Sequence, residues 1–497
     1  KRLRSLSRTK HTKTTLIMNV KSVNKALIGL LILFSFSCAT YYQINSEFNK
    51  DFEVGNIEAA KKVLDNNKKA GRKKAQFLYF ANQGVVNSML GNYEESNEWL
   101  EKAYIFGEDY QKNYANIAAS FLVNPTTITY SGEDHEQLLL LYYKALNYLK
   151  MEDYEAALVE CRRLNLRLNE LSDKYKSENK YKSDAFIHNL MGIIYEASGD
   201  VNNAFIAYRN AFNIYQDEYI NMFNLGAPEQ LKQDLLRTAY LNGFDTDLDF
   251  YEKQFQTEYD PSSASSEELV FFWQNGLGPV KDEWSINFTT LDGGDGFVTF
   301  VNEEYDFSFP YQISDANQKQ DLTDLRLFRI AFPKYKDRGE YYEKAVLETD
   351  SRNRYKLQLA ENVNAIAHKT LDERMVQEFT KGLLRAATKK VVESAIRGEQ
   401  GGDKEKSKEE RQEEAFREGL SLLVGVVNAA TEKADTRNWQ TIPHSIYYTR
   451  VPLQRGENQV ALKTIGPGGR TDKVDFTFNV KPNQTVFHMY HSLESAR

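Results

Sequence analysis

The chain has 497 residues, with 63 Lys and Arg against 70 Asp and Glu and a hydrophobic content of 41%. That length implies two or three domains with cores of real size, and the acidic balance excludes a nucleic-acid ligand, which would want a basic face. Cys38 and Cys161 are the only cysteines, so no disulfide framework is expected, and a chain this long does not need one.

Residues 26–38 are twelve uncharged, mostly apolar residues that run into Cys38, with Lys21 and Lys25 just ahead of them. A basic flank, a short apolar core and small residues at the cut describe a secretory signal, and the run is shorter than the roughly 20 residues a membrane span requires. Ending on cysteine, it resembles a bacterial lipoprotein signal. The resemblance implies acyl chains on Cys38, which becomes the mature N-terminus, and anchorage to a membrane through them. Met18 is read as the start, 1–37 as upstream sequence and signal peptide, and 38–50 as a lipidated tether. Losing 1–37 removes eight basic residues and no acidic ones, which leaves a charge near −15 and no polybasic membrane contact. No second run is long enough to span a bilayer; 420–430 holds Gly425 and Asn428 and reads as a core helix. No acidic run follows Cys38, which points to the periplasmic side of an outer membrane.

Residues 51–257 repeat. Phe80, Gly84, Gly91, Tyr93, Ser96, Leu100 and Ala103 recur in spacing as Gly192, Tyr195, Gly199, Val201, Ala204, Tyr208 and Ala211. Ala145, Tyr148, Tyr154, Ala157, Cys161 and Leu164 lie between them, and Gly55, Ile57, Ala60 and Leu64 before them. Small residues fall where two helices cross and large ones beside them, and the turn glycines suit a left-handed helix end. This resembles the tetratricopeptide repeat, whose period is about 34 residues. Tyr93 to Tyr154 is 61 residues and Tyr154 to Val201 is 47, so the units carry inserts, at 121–136 and 173–182. The expected product is an all-α solenoid whose concave groove takes a protein or peptide segment. Cys161 is expected to be a packed thiol.

Residues 258–268 are a Ser-rich linker. After it the period becomes alternating, with strands expected at 284–290, 297–301, 325–332, 354–359, 446–451, 459–465, 473–480 and 485–490. About eight strands separated by turns suggest a sandwich-like β-rich domain over 269–497, with a helical hairpin inserted at 364–435. The Lys/Glu/Gly-rich stretch 398–414 reads as a solvated connection. Residues 272–281, with Gly276, Gly278 and Pro279, 329–335, with Arg329 and Pro333, and 430–443, with Asp435, Trp439 and Pro443, resemble an uncharacterised Bacteroidota-type lipoprotein family. Its members carry N-terminal tetratricopeptide repeats and a C-terminal domain of unassigned function. The resemblance brings no catalytic residues and an association with cell-wall assembly.

The residues themselves offer little chemistry. Asp245, Asp247 and Asp249 begin like a calcium loop, but Phe250 and Gln256 occupy the places of the required Gly and Glu. His488 and His491 are three apart on a strand and point to opposite faces, so they share no ion. Gly293–Gly296 reads as a hairpin turn, and Trp273, Trp284 and Trp439 read as sandwich core. No catalytic set, metal site or cofactor is expected. The expectation is an envelope lipoprotein that binds protein partners through its repeat groove. A glycan hydrolase with a hidden acid pair and a carbohydrate-capture lipoprotein are the alternatives.

Overall fold

The computed structural model describes residues 41–68, 74–112, 128–173, 180–263, 265–292, 297–302, 307–312, 328–375, 378–379, 382 and 433–495. The signal segment with Cys38, Gly293–Gly296, the charged stretch 398–414 and most of the expected insertion 364–435 lie outside the described residues.

Among these residues, apolar periodicity and glycine-led turns build five helical hairpins. They are α1 Ser46–Glu53 with α2 Ile57–Asn66, α3 Gln76–Met89 with α4 Tyr93–Lys112, α5 Asp134–Lys150 with α6 Tyr154–Ser172, α7 Ala185–Ala197 with α8 Val201–Ile214, and α9 Glu229–Asn242 with α10 Asp245–Phe255. Each turn places one left-handed residue before the second helix: Gly55, Gly91, Glu152, Gly199 and Gly243. The next residue caps the helix in three cases, as Asn56, Asp153 and Asp200 accept from the amides of Ala59, Ala156 and Asn203. Crossings within hairpins are tight. A Cβ on Gly84 would lie 2.4 Å from Leu100, and one on Gly192 would lie 2.4 Å from the Tyr208 ring. Ala103, Ala145, Ala157, Ala204 and Ala211 are fully buried at the same seams, while Tyr93 and Tyr154 are half-buried at the starts of α4 and α6.

Twelve strands follow among the described residues, in three four-stranded sheets. They are β1 Glu268–Asn275, β2 Val280–Asp292, β3 Phe297–Asn302, β4 Phe307–Gln312, β5 Phe328–Lys336, β6 Lys344–Thr349, β7 Arg354–Lys356, β8 Gln358–Glu361, β9 Ser445–Pro452, β10 Gly456–Ile465, β11 Thr471–Val480 and β12 Thr485–Ser492. The first sheet runs β12-β1-β9-β8, the second β11-β10-β6-β7 and the third β4-β3-β2-β5. Strand β1 pairs parallel to β12 and antiparallel to β9.

The first two sheets form the expected sandwich. Leu269, Phe271 and Trp273 of β1 pack with Leu347, Val460, Leu462 and Phe478. The other face of β1 does not meet solvent. Val270 and Phe272, with Ile446 and Tyr448 of β9, belong to the same apolar cluster as the repeat helices. The layers are therefore helices, first sheet, second sheet, and Thr40–Arg497 hold together as one compact unit.

Three strands fall outside the alternating pattern. Buried on both faces, β1 reads as a continuous apolar run. Pro310 interrupts β4, an edge strand where proline is tolerated. In β6 only Ala345 and Leu347 alternate. Of the expected hairpin insertion, residues 363–375 are helical, whereas 433–438 are not; that end of the second helix is corrected. Here the chain is drawn out along β2, where the Ala434 amide donates to Glu283 Oε2 at 2.7 Å.

Glu152 adopts the left-handed conformation (φ 59°) at the place where the other four turns use glycine. An L residue is disfavoured there by roughly 1–2 kcal/mol, partly offset by glycine's larger unfolded-state entropy. Glu152→Gly is expected to stabilise the chain by about 0.5–1 kcal/mol in urea denaturation, and a destabilised variant would contradict this view of the turn.

Candidate functional site

The first helix of every hairpin turns a polar side chain towards the β half. Asn49 Nδ2 of α1 donates to Gln440 Oε1 at 2.8 Å. Asn82 Oδ1 of α3 accepts from Thr441 at 3.0 Å. The hydroxyl of Tyr142 on α5 accepts from Gln274 at 3.4 Å. Asn189 Oδ1 of α7 accepts from Tyr448 at 3.5 Å. Gln230 Oε1 of α9 accepts from the Arg450 backbone amide at 3.2 Å. The face expected to hold a partner segment is thus occupied by the chain's own first sheet and by residues 438–443. The cause is apolar area: Val270, Phe272, Ile446 and Tyr448 would otherwise face water.

Three buried polar clusters sit in this seam. In the first, Arg450 of β9 reaches Glu196 of α7 at 2.8 Å, Asp234 of α9 at 3.0 Å and Glu268 of β1. Arg237 adds contacts of 2.7 Å to both Glu196 and Asp234. Burial alone would raise the Glu196 carboxyl, but Arg237 and Arg450 overcome it and hold the group down at about 2. Glu268 is pushed up, by burial first.

In the second cluster, Glu133 at the N-terminus of α5 holds Lys281 and Arg374. Burial opposes its ionisation, and Arg374 and Lys281 outweigh burial, so its carboxyl lies well below the usual range. Glu136 accepts from the amides of Trp439 (2.6 Å) and Glu133 (3.0 Å) and from the Tyr130 hydroxyl (2.7 Å). Burial and the Glu133 charge push it up to about 7. His135 beside it is driven down to about 3 by burial.

In the third cluster, Asp184 caps α7 through the Ile187 amide at 2.8 Å and accepts from Tyr181 at 2.8 Å. Glu361 accepts from Tyr219 at 3.1 Å and shares a hydrogen bond with Asp184. A π-helical turn, Tyr215–Tyr219, follows α8 and aims both tyrosines at the sheet; Tyr215 donates to the Ala360 carbonyl at 2.6 Å. Burial and the Asp184 charge raise Glu361 far above the carboxylate range. The adjoining cavity measures about 30 Å³, room for a water and no substrate.

The three family-like segments converge beside the second cluster. Gly276 is left-handed (φ 62°). The Gly278 amide donates to the Ile442 carbonyl at 2.8 Å, and a Cβ there would lie 2.8 Å from the Ile442 side chain and 3.3 Å from the Pro443 carbonyl. Asn438 donates to the Pro279 carbonyl at 2.8 Å. Strand β5 sets Arg329 opposite Asn287 and Pro333 opposite Glu283 on β2. Asp435 grips Arg437 at 2.6 Å. Trp439 is fully buried, with its ring 5.8 Å from Tyr143.

Trp273 is also fully buried and donates to Ser492 at 2.8 Å; Trp284 is half-buried, 5.8 Å from Phe332. His488 lies among Phe271, Phe476 and Phe478, and His491 bonds the Gly276 carbonyl at 2.8 Å on the opposite face. Burial drives them down to about 3 and about 4. Asp245, Asp247 and Asp249 lie in α10. Cys161 is buried and its thiol is raised by burial. Among the described residues no three His, Cys, Asp or Glu gather as a metal site, and no helix is long and apolar enough to cross a membrane.

Sequence reasoning missed Arg450, Glu196, Asp234, Glu133, Lys281, Asp184 and Glu361. The available signal was an ionisable residue at a repeat position that faces the first-helix side. Elsewhere the repeats leave an open cleft of about 710 Å³ between α4, α5 and α6, lined by Glu98, Glu101, Ile105, Tyr148, Met151 and Arg163.

No family model matches the chain, and no curated protein matches it. Among solved structures, BtubC (BKLC) from P. vanneervenii aligns over 48% of this chain and 85% of that one, at 13% identity and TM-score 0.30. A Podosopora anserina putative kinesin light chain with nearly identical TPR-like repeats aligns over 46% and 93%, at 14% identity and TM-score 0.27. The Rap conjugation gene regulator of plasmid pLS20, in complex with the Phr* peptide, aligns over 50% and 60%, at 15% identity and TM-score 0.26. Likenesses of this extent define no family, ligand or partner for the chain.

Arg450→Met leaves the buried Asp234 and the partly buried Glu196 to Arg237, and Glu268 without an ion-pair partner, and is expected to cost about 3–5 kcal/mol in urea unfolding; a loss under about 1 kcal/mol would show that the cluster does not depend on Arg450. The carboxyls also set opposite pH slopes. Glu196, lowered, contributes stability above its unfolded value that disappears as pH falls towards 2. Glu361, raised, contributes stability that is complete below the unfolded carboxyl value and declines by about 1.4 kcal/mol per unit as pH rises. Glu361→Gln is therefore expected to gain on the parent chain from about pH 5 upward; parallel stability curves would contradict the assignment.

Proposed function

We propose that the protein is a non-enzymatic scaffold of the Bacteroidota-type envelope, tethered by acyl chains on Cys38 to the periplasmic side of an outer membrane, that binds a segment of another envelope protein. The observation that carries the reading is the closure of the first-helix face by the first sheet. A repeat array locked in this way is a rigid frame rather than an adaptable sleeve. Partner binding then moves from that face to the open cleft between α4, α5 and α6. Its floor is set by Lys144, which contacts Glu160 at 2.7 Å and Glu101, and by Arg163, which contacts the same two carboxylates at 3.0 Å. Its wall offers Ile105, 48% exposed, for apolar contact.

Catalysis by the carboxylate pairs of the buried clusters is disfavoured. Glycosidic chemistry needs two carboxyls roughly 5–9.5 Å apart in one open cleft, and the pairs Asp184 with Glu361 and Glu133 with Glu136 are enclosed. The scaffold reading also fits the acidic mature charge and the tether motif ending at Cys38.

In-cell crosslinking and membrane fractionation test this. Cys38→Ser is expected to move the protein into the soluble fraction. Ile105→Glu combined with Glu98→Lys, both at exposed positions, is expected to weaken partner recovery about tenfold, equivalent to about 1.4 kcal/mol, while the protein stays anchored. Unchanged fractionation would remove the tether, and full recovery by the double variant would remove the cleft.

A further inference from the structure

The sandwich is open along one side, where β11 and β12 are the free edges of their sheets. The inward residues of β11 alternate as Asp472, Val474, Phe476 and Phe478, and those of β12 as His488, Tyr490 and Ser492. Along most of this side the gap is filled, since the Phe476 ring lies 4.6 Å from His488 and 5.6 Å from Tyr490. Beyond Phe476, towards the Gly466–Arg470 turn, the filling stops and a cavity of about 340 Å³ remains.

Three tyrosines wall it: Tyr341, Tyr342 and Tyr490. Tyr341 and Tyr342 stand edge to face, 5.0 Å apart at 84°. Gly466 lets the Tyr341 ring lie against the backbone, because a Cβ there would come within 3.0 Å of it. The hydroxyls of Thr464 and Ser492, both buried, line the inner part, and Ser492 is held by Trp273 at 2.8 Å. Arg470, Asp472 and Glu494 stand at the rim. Asp472 accepts from the Tyr342 hydroxyl at 3.1 Å and lies 3.7 Å from Arg470.

We propose that this cavity binds a neutral saccharide ring. Aromatic faces offer flat apolar area to the C–H faces of a sugar. Around them stand guanidinium donors, carboxylate acceptors and hydroxyls that serve as either, which is the mixture a polyhydroxylated ring demands. The volume falls within the range of small-molecule sites, about 300–1,000 Å³. An aromatic cage for a cation is the closest competitor. It is disfavoured because Arg470 would face the cation and because the Asp472 charge is already shared with Arg470 and Tyr342. The site is separate from the repeat cleft and does not depend on the tether or on a protein partner.

The test is titration of the full chain with chitohexaose, cellohexaose and maltohexaose, followed by calorimetry and by NMR of the tyrosine rings, with oligolysine as the cationic probe. At least one oligosaccharide is expected to bind, with a dissociation constant between roughly 10 μM and 1 mM. Arg470→Ala with Glu494→Gln, both at exposed positions, is expected to weaken it at least about tenfold with an unchanged melting temperature, and Tyr490→Ala is expected to abolish it. The proposal is overturned if none of the three sugars binds at about 10 mM, if the double variant binds as tightly as the parent, or if only oligolysine is retained.

Discussion

Strand β1 is apolar on both faces, and the rest of the structure follows from that constraint. Leu269, Phe271 and Trp273 need one cover and Val270 and Phe272 another, and a sheet buried on both sides must lie between two layers. The second sheet supplies one layer and the first helices of the hairpins supply the other. Helical hairpins of this kind cannot bury their own apolar faces and normally depend on stacking. Here they gain a second support along the whole array, and what would be a free groove becomes an internal seam.

The charges within that seam select the fit rather than drive it. Buried ion pairs pay a large desolvation cost, and their stabilising value is small when compared with apolar contacts. Their geometry is nevertheless selective. Arg450 on β9 must meet carboxylates from α7, α9 and β1 together, and Lys281 on β2 must meet Glu133 at the start of α5. A sheet slipped by one residue would bury each of these charges without its partner. The clusters tie particular helices to particular strands, while the area of Phe272, Tyr448 and their neighbours supplies the favourable free energy.

The repeats were legible because their determinants are local. A left-handed glycine, an Asn or Asp cap and small residues at the crossing all lie within one hairpin, and Gly84, Gly91, Gly192 and Gly199 carry them in plain view. Glu152 hid the same turn under an unfavourable residue, yet Asp153 and Tyr154 still marked it. Alternating strands such as β10 and β11 were legible for the same reason. The covered face of the array was not, because it rests on pairings between residues far apart in the chain, such as Asn82 with Thr441 and Glu196 with Arg450. The buried carboxyls at Glu133, Asp184 and Glu361 were equally silent, since an acid in a helix or strand looks the same whether it faces water or a buried arginine. The segments around Gly278 and Trp439 meet each other through the Gly278–Ile442 hydrogen bond, and Trp439 bonds Glu136 of α5, so this neighbourhood joins the two halves.

The repeats and the first sheet share one apolar cluster and are expected to unfold as one cooperative body. Amide hydrogen exchange on the full chain tests it most directly. The account predicts that Val270–Phe272 in β1 and the middles of α3, α5 and α7 open with a common free energy and respond alike to urea. Exchange of β1 with the helices still protected, or the reverse, would contradict it and restore a free groove.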